Sequence, residues 1–92
     1  MNYEELYQGL INRASLRTID PNLYYEKHHI IPRCLGGSDK PYNLVQLTGR
    51  EHFIAHQLLV KIYPNNYSLI KAANMMCAFN SVSYTHLTLP TI

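Results

Sequence analysis

Between positions 28 and 56 this chain places four of its five histidines: His28 and His29 side by side, then His52 and His56 four residues apart. In a chain of 92 residues that concentration limits the possible folds. One small domain is expected at this length, and so short a chain buries little core. A metal or a partner often makes up the missing stability. Cys34 and Cys77 form no CxxC pair, so a cysteine zinc site is not indicated and the chain reads as one from a reducing cytoplasm. No apolar stretch is long enough to span a bilayer. The acidic start Met1-Asn2-Tyr3-Glu4-Glu5 lacks the basic region and apolar core of a signal peptide. A net charge of +2 is too small to indicate nucleic-acid binding by itself.

The histidines fall on elements that can be read locally. Residues 2–16 predict an amphipathic helix. Asn2 can cap it, Glu4 and Glu5 lie in the first turn where the helix dipole favours acids, and Leu6, Leu10, Ile11 and Ala14 recur at helical spacing. Asp20-Pro21-Asn22 is a turn. Residues 24–31 are aromatic and β-branched and predict a strand that Pro32 ends. Residues 36–41 form a polar loop, and residues 43–47 a second short strand. Thr48 with Glu51 three residues later is a capping box, so a helix should begin there and stop before Pro64-Asn65-Asn66. A third helix is expected over about 67–79. The tyrosines at 3, 7, 24, 25 and 42 read as core and edge packing, and Met75 and Met76 as core filling.

On this layout His28 and His29 point to opposite faces of a strand and should do different jobs. His52 and His56 share one helix face, a spacing that suits two imidazoles closing on one metal ion. A hairpin packed on that helix could bring His28 to the same ion and leave His29 beside it as a base. Phosphodiester hydrolysis needs such a set. A divalent cation neutralises phosphate oxygens and the leaving alkoxide, while an imidazole titrating near neutral pH takes the proton of the attacking water. The free amides at the helix start near Thr48 would favour a phosphate.

The run His28-His29-Ile30-Ile31-Pro32-Arg33, the loop Gly36-Gly37-Ser38, the strand Asn43-Leu44-Val45-Gln46-Leu47 and the helix Arg50-Glu51-His52-Phe53-Ile54-Ala55-His56 together resemble the His-Asn-His (HNH) endonucleases. The likeness is to phage-type, homing-endonuclease-like members and covers residues 24–64. The resemblance implies a small α+β domain of the ββα-metal fold, a β-hairpin plus a metal-binding helix, here flanked by an N-terminal and a C-terminal helix. It implies divalent-metal-dependent hydrolysis of double-stranded DNA, leaving 3′-hydroxyl and 5′-phosphate ends. Mg2+ is the first expectation for the metal, with Mn2+, Ni2+ or Zn2+ as alternatives. The matching positions make His28 and His52 metal ligands, His56 a ligand in some members, His29 the general base, and Asn43 the residue that orients the base and holds the loop. Arg33 and Arg50 are candidates for phosphate contacts on charge and proximity. A bacterial or phage-infected cell is the implied setting. Two other classes stay open: a non-catalytic DNA-binding module stapled by the metal, and a nuclease toxin domain. A spare imidazole at His29 favours catalysis over the staple.

The end of the chain differs in character. Residues 81–92 carry no charge and no helical period, and are set apart from a nuclease domain over 1–80 as a non-native or disordered tail. The string from Val82 to Thr91 also resembles a translated sequencing-library adapter, which implies that the native protein continues differently after about Asn80.

Overall fold

A computed structural model describes residues 1–84, with side chains described through Met76; the expectations for the tail from Thr85 onward lie outside the described residues. The elements run α1 (Tyr3–Leu16), β1 (Glu26–His29), β2 (Leu44–Leu47), α2 (Gly49–Ile62) and α3 (Tyr67–Tyr84), with 3-10 turns at Arg33–Leu35 and Pro41–Asn43 between the strands. This is the expected small α+β arrangement of a hairpin and a helix with flanking helices.

Local chemistry sets where the helices begin. The Asn2 side chain accepts from the Glu5 amide at 3.0 Å and starts α1. At α2 the capping box forms in both directions, Thr48 Oγ1 accepting from the Glu51 amide and Glu51 accepting from the Thr48 amide. Asn66 Oδ1 accepts from the Leu69 amide at 3.1 Å, so a residue of the turn after α2 caps α3. α3 continues past Phe79, where its apolar spacing led its end to be expected.

Packing then holds the helices together. α1 contributes Tyr7, Leu10, Ile11 and Ala14, a stripe at i, i+3, i+4 and i+7. Leu6, expected on that face, lies outside it and is exposed, because Tyr7 takes the inward position. Against this stripe sit Val45 and Leu47 of β2, Ala55, Leu58 and Leu59 of α2, and Leu69 of α3. Each buried leucine contributes about 1.5–3 kcal/mol against about 1 kcal/mol for a cap, so burial holds the elements and caps only place their ends. Of the tyrosines read as packing, Tyr7 is core and Tyr3 packs against it, whereas Tyr24 and Tyr42 are exposed. Met75, read as core filling, is half exposed. Among the described residues no helix is long and apolar enough to cross a membrane.

The strands are shorter than expected, four residues each, and pair antiparallel with Glu26 opposite Leu47 and His28 opposite Val45. Tyr24, Tyr25, Ile30 and Ile31 lie outside β1 because the chain leaves the ladder on both sides. Beyond it the buried Asn43 takes over. Its Oδ1 accepts from the Ile31 amide at 2.9 Å, and its Nδ2 donates to the carbonyls of Ile31 and Ser38 at 3.0 and 2.8 Å.

The loop held in this way is tight. Gly36 adopts φ +90°, a left-handed conformation that side chains disfavour. Gly37 presses against the same clamp: a Cβ there would overlap the Ile31 carbonyl oxygen and lie 2.9 Å from Asn43 Nδ2. Gly37→Ala is therefore expected to cost about 3 kcal/mol, the upper part of the usual range for a single substitution. Urea unfolding measures this, and an unchanged midpoint would show that the loop can yield.

Candidate metal centre

Side-chain alternation along β1 turns Glu26 and His28 to the same side of the hairpin, toward α2. On α2, His52 and His56 lie one turn apart and face them. The three imidazoles of His28, His52 and His56 close into a nearly regular triangle, with ring centroids 5.1, 5.2 and 4.9 Å apart. One nitrogen of each lies within 4.8 Å of the others. All three rings meet edge to face, at 65–78°.

The donor set suits a cation. Burial, reinforced by the neighbouring histidines, holds His28 down to about pKa 3, and burial together with His52 holds His56 to about 4. Both rings are neutral at neutral pH, so no proton has to be displaced before a lone pair can coordinate. Two rings also have one nitrogen tied to a residue outside the triangle. His28 Nε2 meets the Tyr7 hydroxyl at 2.7 Å. His52 Nδ1 meets Glu26 Oε1 at 2.7 Å, the carboxylate–histidine pairing by which metal ligands are commonly oriented. The carboxylate accepts the Nδ1 proton and leaves Nε2 with the lone pair. His56 Nδ1 is buried and has no hydrogen-bond partner among the described residues. Three imidazoles fit a tetrahedral or octahedral ion with positions left open for other ligands.

His29, at the end of β1, does not join the triangle. Its Nε2 lies 2.7 Å from Asp39 Oδ1, which also accepts from Arg33 Nε at 3.0 Å. The hydrogen bond to His29, and then that to Arg33, holds the Asp39 carboxyl below its ordinary pKa. An ionised carboxylate can only accept, so in this pair Nε2 carries the proton, and Nδ1 of a neutral ring is left to receive another. The two adjacent rings have different surroundings: His28 is 2 % exposed among histidines, and the half-buried His29 ring meets an acid.

A cleft of about 430 Å³ opens over both groups. Arg33 and Lys27 line it, and the first turn of α3, through Ser68 and Leu69, forms one wall. Arg50 is exposed on the first turn of α2 and is not among the lining residues. Asn43 makes no hydrogen bond to His29 among the described residues; its side chain secures the loop that carries Asp39. Cys34 is free and exposed at the cleft.

Three participants escaped the sequence reading. Glu26 had a usable signal, since it stands two residues before His28 on a strand. Asp39 lay in a loop read only as polar. Tyr7 is 21 residues from His28 on another element and had no local signal. A fourth tie lies further out: Arg17, just past α1, donates to both carboxylate oxygens of Glu51 and to the Gln46 carbonyl. Burial works against the Glu51 charge, but Arg17 and the Thr48 amide outweigh it and keep the carboxyl below its ordinary value. α1 is thereby fastened to β2 and to the start of the histidine helix.

The chain is similar to proteins of Enterobacteria phage T4. It is 54% identical over 87 residues, 94% of its length, to one named "Probable mobile endonuclease E", and 56% identical over 75 residues to one named "Probable mobile endonuclease D". It is also 50% identical over 78 residues to "Uncharacterized 38.5 kDa protein in psbA intron 1" of Chlamydomonas moewusii. The chain spans 60%, 29% and 23% of the lengths of these three relatives. No family model and no solved structure matches it.

Proposed function

We propose, with the similarity to phage proteins named as mobile endonucleases as premise, that this chain is a His-Asn-His nuclease domain that cuts double-stranded DNA. His28, His52 and His56 hold a divalent metal, and His29 is the general base. The observation that carries this reading is the pairing of two unlike histidine sites in one cleft: three lone-pair donors in a triangle, and beside them an imidazole backed by a carboxylate.

When bound, the cation supplies neutralisation of phosphate charge and of the leaving alkoxide. The chain does the rest. His29 Nδ1 accepts the proton of the attacking water, while Asp39 keeps the proton on Nε2 in place and stabilises the imidazolium that results. Arg33 and Lys27 meet backbone phosphates at the cleft, and Arg50 offers a further contact along α2. Asn43 acts at one remove, by fixing the loop between Ile31 and Ser38. The setting is a bacterial or phage-infected cell.

The test is conversion of supercoiled plasmid. Nicked or linear product is expected with Mg2+, Mn2+ or Ni2+, none with EDTA, and recovery on adding excess metal. Equal cutting in EDTA would refute the metal requirement. Absence of cutting with all three metals would refute the nuclease reading.

A further inference from the structure

We propose that Tyr7, on α1 and outside the histidine motif, is a positioning residue that sets the proton on His28 and so presents its Nδ1 lone pair to the metal; this rests on the metal-centre reading above. A phenol has a single hydrogen to donate. The Tyr7 hydroxyl donates it to the Ile30 carbonyl oxygen at 2.7 Å, a group that can only accept. The phenol oxygen can then only accept from His28 Nε2, also at 2.7 Å. Nε2 must carry the ring proton, and Nδ1 is the nitrogen left bare.

The relay is well anchored. Ile30 follows β1 directly, and its own amide donates to the Asn43 carbonyl at 2.8 Å, so the oxygen that takes the Tyr7 hydrogen belongs to backbone fixed on its other side. Tyr7 is 4 % exposed and His28 2 %, which leaves water little access to compete for either bond. Glu26 performs the corresponding task for His52 with a carboxylate. At His28, the deepest of the three rings, a neutral hydroxyl does it without adding a buried charge. A residue present only to fill the core would lose nothing on becoming phenylalanine, and that separates the two roles.

Tyr7→Phe keeps the ring and removes the relay. In metal-free wild-type protein, long-range 1H–15N spectra should show His28 as the Nε2–H tautomer, and in Tyr7→Phe that preference should weaken toward a mixture. Calorimetry with Ni2+ should show affinity falling by about 10–100-fold, the usual effect of removing a partner behind a metal-bound histidine. Thermal unfolding without metal checks that the variant is folded. The proposal is overturned by an Nδ1–H tautomer in the wild type, a spectrum that needs no variant, or by Ni2+ affinity equal in the two proteins. Wild-type protein that takes up no Ni2+ would overturn the metal-centre reading and this proposal with it. The wild-type titration tells that failure apart from a silent substitution.

Discussion

His29→Ala is expected to lower DNA cleavage by about 10²–10⁴-fold, the usual contribution of a general base, while metal affinity and thermal stability stay near those of the parent chain. The separation follows from geometry. The His29 ring is half-buried at the cleft, bonded to Asp39 and outside the triangle of the other three histidines. Its removal opens no deep cavity and takes away no ligand. Plasmid cleavage at saturating metal, run beside calorimetry of both proteins, gives the comparison. Cutting at the parent rate would remove His29 from the base assignment. A fall in metal affinity matching the fall in rate would move it into the ligand set.

The opposite pattern is expected for the triangle. His28→Ala and His52→Ala should each weaken metal binding beyond the roughly 10–100-fold that loss of an outer partner brings, and cleavage should fall with it. His28→Ala should also lower thermal stability, because the ring is buried and leaves a hole lined partly by polar groups. His52, less deeply placed, gives the cleaner measurement. His56 varies as a ligand in the family resembled, but here its ring is as close to each neighbour as they are to one another, so His56→Ala should follow the other two. Asn43→Ala should act more on rate than on affinity, since its side chain bonds the loop and not a ring of the triangle. Unchanged affinity in both the His28 and His52 variants would refute the assignment of ligands.

What could be read from the chain beforehand was what neighbours in sequence decide. The Thr48–Glu51 box announced the start of α2, Pro64 its stop, and four-residue spacing put His52 and His56 on one face. The grouping of His28 with them followed from hairpin and helix alone. What stayed hidden depended on distant segments or on where a ladder ends. Tyr7 looked like any inward aromatic until the fold brought its hydroxyl to the His28 ring and the Ile30 carbonyl. Asp39 looked like loop solvent-facing charge until the Asn43 clamp turned the loop back on His29. The strand predicted over residues 24–31 was too long because aromatic and β-branched composition does not reveal where the partner strand stops pairing.

The register of the hairpin has a consequence for how so polar a centre is specified. His28 pairs with Val45 and Glu26 with Leu47, and both partners on β2 are buried apolar residues. Strand geometry is binary: a one-position slip of β2 would carry Val45 and Leu47 to the water side, and a one-position slip of β1 would exchange the inward pair Glu26 and His28 for Lys27 and His29. The centre therefore has no graded, partly assembled version along this coordinate; it is present in one alignment and replaced by a lysine in the next. The alignment is favoured by two aliphatic side chains that do not line the cleft, so the placing of its polar groups is encoded in part by the oiliness of the strand behind it.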